Sequence, residues 1–512
     1  MKLNTKRTIL VGFAFFLISA FWQAYDATIP VILTNKFGMS QTWSGVIMAL
    51  DNILAVFMLP IFGAISDRCR TKFGKRTPFI TVGTIIAAVA IICLSFIDNA
   101  QLKNISEVSA IDDPAALEII YNAEADSELL TPEGDSFKLG EKFTLEEFKA
   151  IRSDEEKTDD VNRYTNYVVP ARQAYVADVT DESPATLFTF IALLLVVLIA
   201  MATFRSPAVA LMPDVTVKPL RSKANAIINL MGTAGGILIL VLGMVFATSS
   251  VKNALMSYTT FYGVLAAIMI GALIIFLSTV REPKWADEMK RESIRLGIEE
   301  EESESTEKRK LTSGEKRSLV FILASIALWY IGYNAITSKY SVYAPNILQM
   351  NYNTTLLLAQ AAAIVSYLPA GIIASKIGRK KTIMCGVAML ATAFLVASFM
   401  RAESPLWLMN IMFCLAGISW ATINVNSFPM VVEMCSGGDV GKYTGFYYTA
   451  SMTAQIVTPM FSGVLMDKLG MTILFPYAAI FVALAFVTMA VVRHGDNKIE
   501  SKKGLEAFDI DD

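Results

Sequence analysis

A chain of 512 residues that is 54% hydrophobic and only 18% charged carries too few charges to cover water-soluble domains, which hold about 25%. Its mean hydropathy of +0.50 and its apolar runs, each near the roughly 20 residues that span a bilayer, exclude a soluble globular protein. The net charge of −2 is a sum of strongly segregated charges and marks no nucleic-acid partner.

Apolar runs fall at 8–34, 41–66, 77–97, 185–213, 223–248 and 257–280, and then at 317–343, 355–375, 381–400, 405–428, 442–466 and 471–492. They predict an all-α integral membrane protein of twelve transmembrane helices in two six-helix bundles. Lys2, Lys6 and Arg7 before the first run resemble the start of a signal peptide. The run continues to about Leu33, past any cleavage site, and eleven more follow, so it is expected to be a retained helix. With the N-terminus inside, the inner short segments hold 20 Lys and Arg. The outer ones hold 5: Lys36, Lys252, Lys339, Arg401 and Lys468. The positive-inside rule therefore predicts two cytoplasmic termini and a multi-pass protein of the plasma membrane, expected as a monomer in the lipid bilayer.

Two polar segments interrupt the pattern. Residues 98–185 contain 21 Asp and Glu against 8 Lys and Arg and are expected outside. Apolar spacing in Phe143–Ile151 and Tyr164–Tyr175 favours partial folding of this segment over a wholly solvated loop. Residues 281–317 are expected inside as a helical or disordered linker, with alternating blocks Glu299–Glu302 and Lys308–Lys310. None of the five cysteines falls in 98–185, and they show no metal or redox spacing. The single histidine, His494, lies in the tail, which excludes a histidine proton relay. No metal site and no cofactor are expected.

An internal repeat organises the chain. Gly63-x-x-x-Asp67-Arg68 followed by Gly74-Lys75-Arg76 closes the second run. Gly371-x-x-x-Ser375-Lys376-x-Gly378-Arg379-Lys380-Lys381 closes the eighth, 308 residues later. A looser pair is Pro213-Asp214 with Arg221, and Pro429 with Glu433, where the offset drops to 219. The shortfall matches the length of 98–185, an insertion between helices 3 and 4 of an otherwise regular repeat. The expected organisation is a bundle over 1–280, a linker over 281–316, a second bundle over 317–493 and a tail over 494–512.

Physically, Gly63 permits close helix approach, Asp67 can face a neighbouring helix N-terminus, and the basic residues keep the loop in the cytoplasm. A latch made of these groups and Asp214 would bias which side of the protein is open. The alternative is that the charges only set topology. Ser375 replaces the acid in the second copy, which weakens any latch there.

The Gly-x-x-x-Asp-Arg loop with its basic cluster resembles the signature of the major facilitator superfamily, over nearly the whole chain. Ser66-Asp67-Arg68-Cys69-Arg70-Thr71-Lys72-Phe73-Gly74-Lys75-Arg76-Thr77-Pro78-Phe79-Ile80 further resembles sucrose-type sugar–proton symporters and, more distantly, the glycoside–pentoside–hexuronide cation symporters. The resemblance implies a small-molecule sugar or glycoside substrate and a coupling cation. Where the sucrose type tends to carry an arginine between a proline and Ala-Leu, this chain has Val209, with Arg205 nearby.

Charges inside spans are costly and usually functional. Asp26, Asp51 and Arg205 are such charges, and a carboxylate there can carry a proton or help ligate Na⁺, so these three are the ion-coupling candidates. Sugar rings present apolar faces and hydroxyls, which suit aromatic rings and amides. The first run offers Trp22, Gln23 and Tyr25, and the second offers Asn52. Asn229, Tyr333, Asn334 and Gln360 follow, then Trp420, Asn424, Asn426 and Gln455. Interhelical hydrogen bonding is the competing role for each amide.

Enzyme signatures are missing. Ser436–Tyr443 approaches a P-loop but lacks its first glycine and the Ser/Thr after the lysine. The expected function is ion-coupled transport. An uncoupled facilitator or exporter of another small organic solute on the same fold is the alternative, and a non-transporting receptor the third.

Overall fold

The computed structural model describes residues 3–154, 162–217, 220–295, 312–432, 434 and 440–494. The first half begins with α1 (Thr5–Asn35), α2 (Gln41–Arg68) and α3 (Thr77–Asn104). The inserted segment follows as α4 (Pro114–Glu124), a short hairpin β1 (Leu129–Leu130) and β2 (Ser136–Phe137), α5 (Leu139–Lys142), α6 (Leu145–Ala150) and α7 (Val169–Glu182). Then come α8 (Ala185–Val215), α9 (Arg221–Val245), α10 (Thr259–Thr279) and α11 (Glu282–Arg295). The second half is α12 (Ser313–Tyr343), α13 (Tyr352–Ile377), α14 (Arg379–Ser398), α15 (Leu406–Val432), α16 (Val440–Leu469) and α17 (Leu474–Val491).

Local chemistry sets these boundaries. The Ser40 hydroxyl accepts from the Trp43 amide to start α2, and Thr312 with Glu315 forms a capping box on α12. Pro78 sits in the first turn of α3, where its missing N–H costs nothing. Gly378, at φ +94°, makes the tight break between α13 and α14.

Among the described residues, ten helices are long and apolar enough to cross a membrane: α1–α3, α8–α10, α12, α14, α15 and α17. The protein is therefore a multi-pass membrane protein. The remaining two expected spans are α13 and α16, helices of 26 and 30 residues. Both pack at the junction of the halves, α13 on α9 and α16 on α2.

Two apolar cores divide the molecule. One is built from residues between Val11 and Trp285, the other from residues between Leu319 and Val492 with Ala27 added. Between them, α2 lies on α16, α9 on α13, and α1 on α12. The approach is closest at the end that carries the α1–α2 turn. A Cβ on Gly45 would stand 2.0 Å from the Pro459 carbonyl oxygen, and one on Gly463 would stand 2.3 Å from that of Gln41. At the same end Asp467 accepts from the backbone amides of Gln41 and Thr42 at 2.8 and 2.7 Å, capping α2 from the opposite half.

Residues 105–182 fold on a third core of their own, from Leu117, Ile120, Phe148, Tyr164 and their neighbours. Phe143–Ile151 contains α6, capped by Thr144 and Glu147, and Tyr164–Tyr175 enters α7 through a wide helical turn. In the linker, α11 packs on α8.

Two lysines counted as outer loop charges are buried. Lys36 is fully buried against Asp98 at 2.6 and 2.7 Å. Lys339 lies buried in α12, donating to the Gln41 carbonyl at 2.6 Å. In each case a hydrogen-bond acceptor from a distant segment offsets part of the cost of burying the ammonium.

Candidate functional site

A cavity of about 940 Å³ lies between the halves. Its wall reaches Asn225 near the start of α9 and Arg379 at the start of α14, whereas the glycine contacts and the Asp467 cap close the opposite end. From the first half, Trp22, Gln23 and Asp26 of α1, Asp51 and Asn52 of α2, and Arg205 of α8 line it. The second half contributes Tyr333, Asn334, Gln360, Trp420, Asn424, Asn426 and Gln455. Asn229 also reaches the wall. Tyr25 does not: it points into the core, edge-on to Trp22 with centroids 5.4 Å apart. At about 100° per residue, Trp22, Asp26 and Gln23 span one arc of α1, and Tyr25 falls about 60° outside it on the Trp22 side.

The three intramembrane charges come together. The Asp51 carboxylate accepts from Asn52 Nδ2 at 2.7 Å and lies within electrostatic reach of Arg205 and of Asp26. Arg205 in turn stands 5.6 Å from the centre of the Trp22 ring, a cation–π geometry. Asp26 is also within reach of Tyr333 across the cavity. The Trp22 indole N–H faces no hydrogen-bond partner.

Across from this cluster, Tyr333 and Trp420 are stacked face to face, 3.7 Å apart and 5° from parallel. Gln360 Nε2 donates to Gln23 Oε1, joining the two halves inside the cavity, while Gln360 Oε1 is left without a partner. Buried polar atoms without partners normally cost free energy. Both side chains belong to the cavity wall, although these two atoms are themselves covered. Val209 is half-exposed on α8 and does not line the cavity, so Arg205 is the guanidinium that α8 brings to it.

The latch residues form a second cluster at the other end of α2. Arg76 is its centre. Its side chain donates to Asp214 at 2.8 Å, to Asp67 and to Ser66. Burial opposes the Arg76 charge, but the hydrogen bonds and charges of Asp214 and Asp67 outweigh it and hold the guanidinium above its ordinary value. Asp67 does not face a helix N-terminus. That position is taken by Glu282 of α11, which accepts from the backbone amides of Lys75, Arg76 and Thr77 at 2.6, 2.9 and 2.8 Å. The carboxylate satisfies the open donors at the start of α3 and leaves Asp67 free to pair with Arg76. Gly74, at φ +114°, brings the loop against Glu282, with no room for a Cβ.

Gly63 faces Ser206 of α8 with a gap that a Cβ would reduce to 2.9 Å. Arg221 is outside the Arg76 cluster and caps the end of α8 through the Pro213 and Thr216 carbonyls, each at 3.3 Å. Arg68 carries no ion pair among those described at the cluster. In the second copy, Gly371 and Arg379 line the cavity, and Glu433 lies outside the described residues. Arg76→Ala should lower stability by about 2 kcal/mol, since two carboxylates lose their charged partner. Thermal unfolding of the purified protein in detergent checks this, and Arg76→Lys should recover only part of the loss because it cannot fork between two acids.

No described group of His, Cys, Asp and Glu residues is arranged to hold a metal ion. The sequence profile of the Major Facilitator Superfamily matches residues 174–366 and 348–508. The chain belongs to that superfamily. A second profile, for MFS/sugar transport proteins, matches residues 10–100. As a Major Facilitator Superfamily member the protein is a transporter and not an enzyme.

Its similarities to individual proteins are more local. It is 36% identical over 67 residues to the sucrose transport protein SUC3 of Arabidopsis thaliana, covering 13% of this chain and 11% of that one. It is 26% identical over 149 residues to the MFS-type transporter ppzB of Metarhizium rileyi, covering 29% of this chain and 30% of that one. These matches span less than a third of the relatives' length. The fold is similar to that of the inward-open xylose transporter XylE from E. coli, with a TM-score of 0.58 at 13% identity over 99% of both chains. At that identity the likeness shows the superfamily fold alone.

Proposed function

We propose that this protein is a secondary active transporter that moves a sugar or glycoside by alternating access, coupled to H⁺, with Na⁺ as the alternative cation. Twelve helices would cross the plasma membrane with both termini in the cytoplasm. In that frame α13 and α16 are the eighth and eleventh spans, and the insertion 98–185 lies outside.

One observation carries the reading. A single cavity places two carboxylates and a guanidinium from the first half opposite a flat aromatic stack from the second. The charges suit a proton or cation that must bind and leave, while the stack and the surrounding amides suit a ring with apolar faces and hydroxyls. A solute held between them would sense both halves, which is what couples its binding to their relative movement. The sugar-transport profile over 10–100 and the local similarity to a sucrose transport protein support the substrate class.

The test is uptake of radiolabelled sucrose and a panel of simple glycosides into proteoliposomes. An inward proton gradient should drive accumulation of at least one of them, and a protonophore should abolish it. Flux indifferent to both proton and sodium gradients would leave only the uncoupled facilitator. For the sugar that moves, Trp420→Ala should raise the half-saturating concentration about tenfold, the value of one lost ring contact. Expression and proton leak should be unchanged.

A further inference from the structure

The inserted segment is anchored on the first half and touches the second through its β1–β2 hairpin, with Gln349 Nε2 also donating to Thr165 Oγ1 at 3.5 Å. On the first half, Gln173 Nε2 donates to Asn35 Oδ1 at 2.8 Å, and Lys252 pairs with Asp154 at 2.7 Å. Gly38, at φ +64°, leaves no space between the α1–α2 turn and α7, since a Cβ there would lie 2.4 Å from the Ala177 nitrogen. The segment is thus a rigid attachment of the first half.

Its hairpin then projects over the junction. The tip is held in shape by Thr131, whose amide donates to the Asp135 carbonyl at 2.8 Å and whose carbonyl accepts from Gly134 at 2.9 Å. From this tip the Pro132 carbonyl accepts from the Met471 amide at 2.7 Å, at the α16–α17 turn of the other half. Gly134 and Gly470 meet back to back, at φ +101° and +83°. A Cβ on either would strike the other segment's backbone, 2.9 Å from the Leu469 oxygen or 2.4 Å from the Glu133 oxygen. Beside them Glu133 pairs with Arg401 at 3.4 Å, both partly exposed.

This joint lies at the end where α2 and α16 already close the cavity. Resting on the carrier reading above, we propose that the β1–β2 tip is a strap. It holds the insertion-bearing end of the cavity shut and must release each time that end opens. The strap adds its own contacts to one conformation only, so it shifts the balance between the two access states toward the one in which this end is closed. The position is suited to the task, because the halves part furthest at their ends and the contact is small enough to be remade.

The test reads how often that end opens. In a background with all five native cysteines replaced by serine, Ser338→Cys places one thiol on the buried cavity wall. Its labelling by a membrane-impermeant maleimide, applied to the insertion-bearing face, reports opening. Gly134→Val and Gly470→Val should each speed labelling about threefold or more, the effect of losing a backbone hydrogen bond and its docking. Glu133→Arg and Arg401→Glu should each speed it less, and the two together should restore the parent rate. The charge variants keep the proposal testable if the valine variants fail to fold.

Labelling unchanged in all four variants would overturn the strap and leave a static staple. Gly45→Val, which wedges the same end apart, separates this from failure of the carrier reading. Fast labelling in Gly45→Val with none in the strap variants sinks the strap alone. No labelling in any variant means the end never opens, and both readings fall.

Discussion

Asp51→Asn should abolish proton-driven accumulation while leaving the protein able to bind its solute and exchange it across the membrane. Asparagine preserves the shape of the side chain and can still meet Asn52, which now donates to Asp51 at 2.7 Å. What it cannot do is exchange a proton. Arg205 would then have no ionisable acid on α2 to answer its charge, although its contact with the Trp22 ring remains. An arginine left without a compensating anion in a cavity is expensive, so Arg205→Gln in the Asp51→Asn background should recover expression without recovering accumulation. The measurement is uptake with and without an imposed gradient, set beside counterflow at equal internal and external sugar. Accumulation that survives Asp51→Asn at the parental level would remove Asp51 from the coupling step and leave Asp26 as the remaining acid.

The second large effect is expected from Gly45→Val. At this position the opposing atom is backbone, the Pro459 carbonyl oxygen, only 2.0 Å from where a Cβ would stand. A flexible side chain could swing away; a helix backbone cannot. Core positions that receive extra methyl groups without space lose about 1–3 kcal/mol and occasionally more, and here the loss falls on one conformation alone. The state in which α2 lies on α16 becomes inaccessible, and net transport should fall at least about tenfold for each 1.4 kcal/mol of bias. Solute binding to the detergent-purified variant should persist, because the clash is remote from the Tyr333–Trp420 stack. A variant that transports normally would show that this contact is not made during the cycle.

Much of this arrangement was legible in the chain because its signals are local. Runs of apolar residues become helices where a capping Ser40 or Thr312 and a breaking Gly378 frame them. The shortfall between the two repeat offsets is what singles out 98–185 as the expected insertion. Asp26, Asp51 and Arg205 stand out because charge within an apolar run is rare, and the structure brings all three to one cavity.

What stayed hidden depends on partners far along the chain. Glu282 caps α3 across about two hundred intervening residues, and nothing in the sequence around it distinguishes it from other linker acids. Lys36 and Lys339 look like loop charges because each sits near the edge of an apolar run. Their partners, Asp98 and the Gln41 carbonyl, come from other segments. Tyr25 was grouped with Trp22 by proximity in sequence, yet at about 100° per residue it falls about 60° outside the arc of α1 on which Trp22, Asp26 and Gln23 lie.

The docking of α11 has a consequence for the continuity of the polypeptide itself. Glu282 holds the α3 N-terminus, Trp285 is buried in the first core beneath Arg7, and Glu288 bonds to Arg7. The helix therefore belongs mechanically to the first half. Each core draws almost wholly on its own stretch of chain, with Ala27 the one first-half residue in the second core. A covalent bond between residues 295 and 312 thus contributes effective concentration rather than architecture. Two polypeptides divided there retain every buried contact described for either core, and this is the place where a reporter module can be spliced in without disturbing the transport cavity.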